Sequence, residues 1–465
     1  MDSIVKTVTE LNAAVYAVVG GPVMVVLLTL VGIYFTFRLG FFQIAKIGHW
    51  LKSTIGSLLT KREQKTTKGA VSPFQALSAA LAGTAGVGNI AGVATAIVLG
   101  GPGAVFWMWV SAFFGMMTKY SEVVLSLHFR KRNKHGDFVG GPMYYIERGL
   151  NMKWLAVIFA ILTIIATFGI GNMSQVNSVA QAMHSTFGVP KIVSGVLLAV
   201  FAALVILGGI KRIVGVTEIL VPFMCLIYIL GGLVIIVIRA DALPGAFASI
   251  FQGAFSLQSV GGGVLGYAFV AAMRFGIARG VFTNEAGLGS APIVHAAADV
   301  DHPVKQGMWG IFEVFADTIV VCTISALVIL QSGLVGTPDA ADPAGGPLTG
   351  AALSARAFDS VIPGFGEIFI TLAVLLFAGA TLLGWSYYGE KSLEYLSRGS
   401  STVPIYVYRV IFILVVVLGA VMQLDLVWAL SDTFNTLMAI PNLFALICMS
   451  GLVVKLTKEY KINNK

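Results

Sequence analysis

Charge is what this 465-residue chain has least of: Asp, Glu, Lys and Arg together make up 11% of it. A water-soluble domain carries roughly a quarter, so a chain of this length could not cover a water-facing surface with so few. Cysteine is nearly absent. Cys225, Cys322 and Cys448 all fall inside apolar stretches and share no metal-ligand spacing, which argues against disulfides and thiolate metal sites; they read as small buried hydrophobes. Histidine is scarce too, and His128, His135 and His295 fall near loops as ordinary interfacial residues. There is no nucleotide-binding P-loop, no His-Glu metalloprotease pattern and no nucleophile–base pair. An enzyme and an ATP-driven pump are therefore disfavoured, and no organic cofactor is expected.

Apolar residues, by contrast, make up 57% of the chain, and its mean hydropathy is +0.88. Apolar runs of about 20 residues, the length that crosses a bilayer as a helix, recur from end to end. They lack the ten-residue alternation of an outer-membrane barrel. The expectation is one all-α integral membrane domain, 1–465, passing many times through the cytoplasmic membrane. Loop punctuation gives about eleven spans, near 15–37, 73–99, 104–127, 154–187, 192–207, 214–238, 261–282, 307–330, 368–388, 403–422 and 427–452. A segment at 240–259 reads as a surface amphipathic helix. The first apolar stretch has no basic flank and reads as a retained helix, not a cleaved signal.

The chain is basic, with a formal charge of +8. Nucleic acid is excluded as a partner because the cations sit in short loops: Lys46, Lys52, Lys61, Arg62, Lys65 and Lys68 after the first span, Arg130, Lys131, Arg132 and Lys134 after the third, and Lys211 with Arg212 after the fifth. Cations on alternate loops set topology, here with the N-terminus outside and the C-terminus cytoplasmic.

Irregular backbone at membrane depth survives only where protein or a cavity satisfies it. Gly83-Thr84-Ala85-Gly86-Val87-Gly88-Asn89-Ile90-Ala91-Gly92 sits in the middle of the second span. Each glycine weakens a helix by about 1 kcal/mol relative to alanine. The stretch serves either close helix packing or local unwinding, and Asn89 among the glycines favours unwinding. Unwound carbonyls hold a cation, and the N–H end of a half-helix holds a carboxylate. The second interruption is Met273-Arg274-Phe275-Gly276-Ile277-Ala278-Arg279-Gly280 in the seventh span. Its two arginines must face a cavity, a partner or the interface, Arg279 by snorkelling to the cytoplasm. Two breaks five spans apart are the pattern of an inverted-repeat secondary transporter, with repeats at 73–238 and 261–452 and helix 15–37 added outside. Glu218, Glu313 and Asp317 lie in apolar spans. Glu313 and Asp317, at i, i+4 on one face, are candidate coupling acids, with Arg274 a candidate partner.

Asn284-Glu285-Ala286-Gly287-Leu288-Gly289-Ser290-Ala291-Pro292 resembles the signature of the alanine or glycine:cation symporter family. Ser78-Ala79-Ala80-Leu81-Ala82-Gly83-Thr84 and Gly169-Ile170-Gly171-Asn172 are similar to that family as well, and the likeness covers nearly the whole chain. The resemblance implies a leucine-transporter-like fold of two inverted five-helix repeats plus one extra N-terminal helix. It also implies sodium-coupled import of alanine or glycine by a monomer. By the same resemblance one sodium takes carbonyls of Ala82, Ala85 and Ala378 and the Thr381 hydroxyl, with Leu382 where that pattern has a second hydroxyl. Thr84 and Asn89 are candidates for a second ion. Oxygen ligands of this kind suit a hard cation.

An amino-acid zwitterion needs donors for its carboxylate and acceptors for its ammonium. N–H groups at Gly86, Val87 and Gly88 suit the carboxylate, and freed carbonyls near Phe275 and Gly276 suit the ammonium. Gln175, in the fourth span, both donates and accepts; the alternative for it is plain interhelical bonding. Trp385, with Phe168 and Phe275, either caps the pocket or faces lipid. A proton-coupled transporter of the same fold is the alternative reading, with Glu313 or Asp317 titrating.

Overall fold

The computed structural model describes residues 2–59, 67–255, 264–339, 346–399, 402–422 and 424–463. Lys61, Arg62 and Lys65, together with residues 256–259 and 261–263 of two expected segments, lie outside them. The chain begins with α1 (Asp2–Val19) and α2 (Gly21–Arg38), divided at Gly20, and three short helices follow, α3 (Phe42–Ala45), α4 (Ile47–Ser53) and α5 (Ile55–Leu58). Next come α6 (Pro73–Thr84), a 3-10 turn at Val87–Asn89, α7 (Ala91–Gly100) and α8 (Ala104–His128). A small hairpin, β1 (Lys131–Arg132) and β2 (Phe138–Val139), leads into α9 (Pro142–Leu150). Helices α10 (Lys153–Phe168) and α11 (Ser174–Phe187) are joined by a wide π turn at Gly169–Met173. Then come α12 (Lys191–Ile206), α13 (Gly209–Ile238), α14 (Leu243–Phe255), α15 (Val264–Asn284) and the short α16 (Pro292–His295). Helices α17 (Pro303–Val314) and α18 (Thr323–Ser332) flank a π segment at Phe315–Cys322. The chain ends with α19 (Gly350–Asp359), α20 (Gly366–Leu396), α21 (Val403–Val421), α22 (Leu424–Cys448) and α23 (Ser450–Asn463).

Among the described residues, five helical stretches are each long and apolar enough to cross a bilayer: Lys153–Phe187, Gly209–Ile238, Pro303–Ser332, Gly366–Leu396 and Val403–Val421. A sixth, formed by α22 and α23, bends by 60° at its break. Their outward faces are apolar. On α13, Ile219, Phe223, Leu226, Leu230, Val234 and Val237 are exposed at helical spacing, which suits a wall of lipid tails. Inside, α20 is the central post, with Phe377 through Ser392 buried almost without interruption.

Local chemistry explains where the broken helices start and stop. Ser72 caps α6 through the Gln75 N–H, the Gln75 side chain returns to the Ser72 N–H, and Pro73 occupies the first turn. That reciprocal pair satisfies two otherwise orphaned donors. The same Gln75 donates from Nε2 to Glu218 of α13 at 2.9 Å, which gives this acid a tethering role.

The seventh expected span differs from its sequence reading. Helix α15 runs unbroken through Met273–Gly280, because Gly276 and Gly280 serve packing: a Cβ at Gly276 would collide with the Ala104 carbonyl of α8, and one at Gly280 would lie 3.2 Å from Ser111 Oγ. The interruption comes after Asn284, where Glu285 (φ 54°), Gly287 (φ 95°) and Gly289 (φ 82°) adopt left-handed conformations. Glycine tolerates such φ values freely, whereas Glu285 is held there at a cost of about 1–3 kcal/mol.

Candidate functional site

The first break leaves backbone groups that a continuous helix would have paired, and apart from one local bond they are met by side chains from four other helices. The Gly86 N–H donates to Asn89 Oδ1 at 2.9 Å, closing a local loop. The Val87 N–H donates to Gln175 Oε1 of α11 at 3.1 Å. The Thr381 hydroxyl of α20 reaches the Ala85 carbonyl at 3.4 Å and the Phe377 carbonyl at 3.0 Å. Ser325 donates to the Asn89 carbonyl at 2.6 Å, and Ser354 to the Ile90 carbonyl at 3.0 Å. Unwinding is therefore stable here because four other elements supply partners. The cluster is sealed: Thr84, Val87, Asn89, Gln175 and Thr381 are at most 3% exposed.

The second break is built beside it. Trp385 of α20 is fully buried, and its Nε1 donates to Glu285 Oε1 at 2.8 Å and lies 3.3 Å from the Gly83 carbonyl at the end of α6. One indole thus touches both breaks, which settles its orientation as inward. Ser290 donates to the other Glu285 oxygen. Asn284 accepts from the Ala286 N–H at 3.0 Å and donates to Thr318 at 3.1 Å. The last turn of α15 presses on the first break, since a Cβ at Gly88 would lie 2.8 Å from Thr283 Cγ2 and 3.2 Å from Phe282.

Buried charge surrounds both breaks. Lys119 of α8 pairs with Glu313 at 3.3 Å, and His295 meets the other Glu313 oxygen at 2.8 Å. Asp317 faces elsewhere: it accepts from Asn89 Nδ2 at 2.7 Å and from Thr318 Oγ1 at 2.9 Å. Glu313 and Asp317 thus hold separate sets of partners. Asp317 lies in the π segment that begins at Phe315, a feature often found at functional positions. Arg274 is exposed beside the Phe275 ring and pairs with neither acid. Arg279 does not snorkel free; it pairs with Asp432 of α22 at 3.4 Å and lies over Trp428. His295, read above as interfacial, is fully buried.

Of the residues singled out in the sequence, the structure brings together Thr84, Gly86, Val87, Gly88, Asn89, Gln175, Thr381 and Trp385. Ala82 and Ala85 line the same contact, where α20 crosses α6 so closely that a Cβ at Gly384 would lie 2.7 Å from the Gly83 nitrogen. Ala378 sits one turn before Thr381 and is buried. Three residues stand apart from this cluster. Phe275 packs against Gly100 of α7 and Gly276 against Ala104 of α8, about two turns along α15 from the Thr283 that presses on Gly88. Phe168 meets Tyr408 edge-on and Phe412 at a tilt, both on α21; Gly171, in the π turn, is the residue pressed beneath Trp385. Lys119, Glu122 and the role of Glu285 escaped the sequence reading. Their signal was present, because ionisable residues inside an apolar span are costly and so mark function or pairing.

The chain matches the sodium:alanine symporter family over residues 1–465. It is 50% identical to the sodium/alanine symporter AgcS of Methanococcus maripaludis, over 98% of this chain and 97% of that one. It is 38% identical to the probable sodium/glutamine symporter GlnT of Bacillus subtilis, over 95% of this chain and 88% of that one. Among solved structures, that of MhsT in complex with L-phenylalanine superposes with a TM-score of 0.56 at 12% identity, covering 84% of this chain and 99% of that one. The manganese transporter of Eremococcus coleocola gives 0.55 at 14% identity, covering 80% and 78%. At such identities the likeness concerns the fold alone, and that fold is leucine-transporter-like. Matched from its first residue to its last, with half its residues shared with AgcS, the chain belongs to the sodium:alanine symporter family.

Proposed function

We propose that this protein imports a small neutral amino acid, alanine or glycine, together with sodium across the cytoplasmic membrane by alternating access. The observation that carries the reading is the first break, where an unwound backbone meets the Gln175 amide on one side and the Thr381 hydroxyl on the other. The Gln175 oxygen on the Val87 N–H marks where a substrate carboxylate oxygen would bind, and the amide can turn aside to a second contact. The ammonium meets acceptors at the Thr283 end of α15 and at Glu285. Trp385 and Phe282, which press on Gly171 and Gly88, would bound the side-chain end of such a pocket.

Sodium is cargo here. Carbonyls of Ala82, Ala85 and Ala378 with Thr381 Oγ1 form a neutral oxygen set that suits it. Asp317, beside Asn89 and Thr283, supplies the charge for a second ion near Thr84 and Asn89. Support for the substrate comes from AgcS, a sodium/alanine symporter by name. The loop cations support an outside N-terminus and a cytoplasmic C-terminus, and the two breaks support repeats at 73–238 and 261–452, working as a monomer.

The test is alanine uptake into proteoliposomes at fixed pH, with sodium or potassium outside. Sodium should drive saturable uptake, and Thr381→Ala should raise the half-saturating sodium concentration about tenfold, as loss of one ligand hydroxyl costs roughly 1–1.5 kcal/mol. Equal uptake in potassium would sink sodium coupling and transfer the coupling role to protons on Glu313 or Asp317.

A further inference from the structure

One flank of the bundle leaves an apolar cavity of about 340 Å³ between α11, α12, α13 and α20. That is the size of a small-molecule site, in an interior where packing ordinarily leaves few voids larger than a water. Val179 of α11, Leu198 and Phe201 of α12, Leu220 of α13 and Leu376 of α20 form its walls. Gly379 of α20 forms part of its floor. Beyond its own helix, a Cβ there would touch Phe201 alone, at 3.4 Å, so a longer side chain would project into the space.

The cavity is continuous with the membrane face. Leu197, which also lines it, is 60% exposed, and Val193, Val200 and Leu204 of the same helix are exposed as well. Apolar voids of this kind stay dry, and empty walls forgo the dispersion contacts that packing supplies. Lipid tails are the neighbours able to fill it. The polar exception is Ser194, which is 3% exposed and whose hydroxyl has no partner. A donor left unpaired beside hydrocarbon is costly. Lys191, exposed at the start of α12, precedes Ser194 by three residues, which puts the two on one side of the helix. An exposed lysine keeps its ammonium at the membrane–water boundary. From Ser194 to Phe201 the helix then descends about 10 Å. Along α12 the order is a cation, a hydroxyl donor and an apolar trough. A phospholipid presents a phosphate, an ester carbonyl and an acyl chain in the same order.

We propose that this cavity holds one acyl chain of a membrane phospholipid, with its phosphate at Lys191 and its ester carbonyl accepting from Ser194. The chain reaches Gly379, between Ala378 and Thr381, and so steadies that turn of α20. A consequence for sodium rests on the reading above; the binding itself does not.

The experiment reconstitutes the full chain in phosphatidylcholine vesicles, in potassium salts, with a trace of phosphatidylcholine carrying a photoreactive group midway along one acyl chain. After illumination, labelled peptides are mapped by mass spectrometry. Labelling at 197–201 and 375–379 should exceed that of the open wall at Phe223, Leu230 and Val234 by about tenfold, as burial of two or more further methylenes implies. Gly379→Leu and Val179→Phe, which fill the cavity from opposite walls, should abolish the excess and leave wall labelling unchanged. Ser194→Ala should lower it by about threefold or more, the worth of one hydrogen bond. Labelling no denser in the cavity than on the wall, or an excess that survives both filling variants, overturns the proposal. Should Gly379→Leu fold poorly, Val179→Phe decides alone. A photoreactive fatty acid that labels the cavity where the phospholipid does not would also overturn it. Because sodium is absent throughout, failure of the symport reading leaves the result standing, and failure here leaves that reading untouched.

Discussion

Lys119→Met should destabilise the folded protein by about 3–5 kcal/mol, the cost of leaving a buried charge without its partner. Lys119 and Glu313 are both fully buried and meet at 3.3 Å. Methionine keeps much of the stem's volume, so the change isolates the ammonium. Without it, Glu313 retains only the His295 contact at 2.8 Å, with Glu122 and Glu285 nearby and no solvent to screen them. Removing both charges is a different matter, since uncharged partners of similar shape often replace a buried ion pair at little cost. Lys119→Met combined with Glu313→Gln should therefore recover most of the loss. Heating the purified variants in detergent, in potassium so that sodium binding does not intrude, yields the double-mutant cycle. A single variant within about 1 kcal/mol of wild type, close to an ordinary surface substitution, would show that Glu313 is already neutral in the folded protein.

That pair also shows where sequence reasoning reaches its limit. The apolar runs were legible because bilayer thickness fixes helix length, and most of each expected span falls on helix among the described residues, with 15–37 divided at Gly20 and 73–99 unwound in its middle. The first break was legible because clustered glycines with one asparagine are hard to explain otherwise. The second was displaced. Gly276 and Gly280 looked like helix breakers, but their missing side chains let α8 approach, and the true interruption follows in Asn284–Ala291. Glycine composition alone does not distinguish backbone freedom from close packing; positive φ does, and φ is a property of the fold. Lys119 and Glu122 could have been noticed as charges within a span. Their partners could not, because Glu313 lies 194 residues beyond Lys119 and Asn442 320 beyond Glu122, and both are brought near only by tertiary packing. Likewise the separate partners of Glu313 and Asp317 could not be read from their four-residue spacing, because Lys119 and Asn89 reach them only through tertiary packing.

Trp385→Phe should slow alanine uptake by about 10–100-fold while leaving the protein folded. The ring keeps most of its bulk, so what is lost is the indole N–H that donates to Glu285 Oε1 and lies near the Gly83 carbonyl. A hydrogen bond to a charged group is worth about 1.5–3 kcal/mol, which gives that range of rates if the bond forms in the sealed conformation and loosens when either side opens. The geometry favours such a bond. Glu285 sits on left-handed backbone, Gly83 closes the end of α6, and Trp385 comes from α20, so the contact exists only while all three elements are docked. Losing it lowers the population of the sealed state through which every transport cycle passes. Glu285→Gln, which keeps an acceptor oxygen toward the indole, should slow uptake less than Trp385→Phe. Initial rates normalised to reconstituted protein make the comparison. A Trp385→Phe variant at wild-type rate would reduce Trp385 to a space-filling role against Gly171, and closure would then have to be carried by Thr381 and Gln175 at the first break.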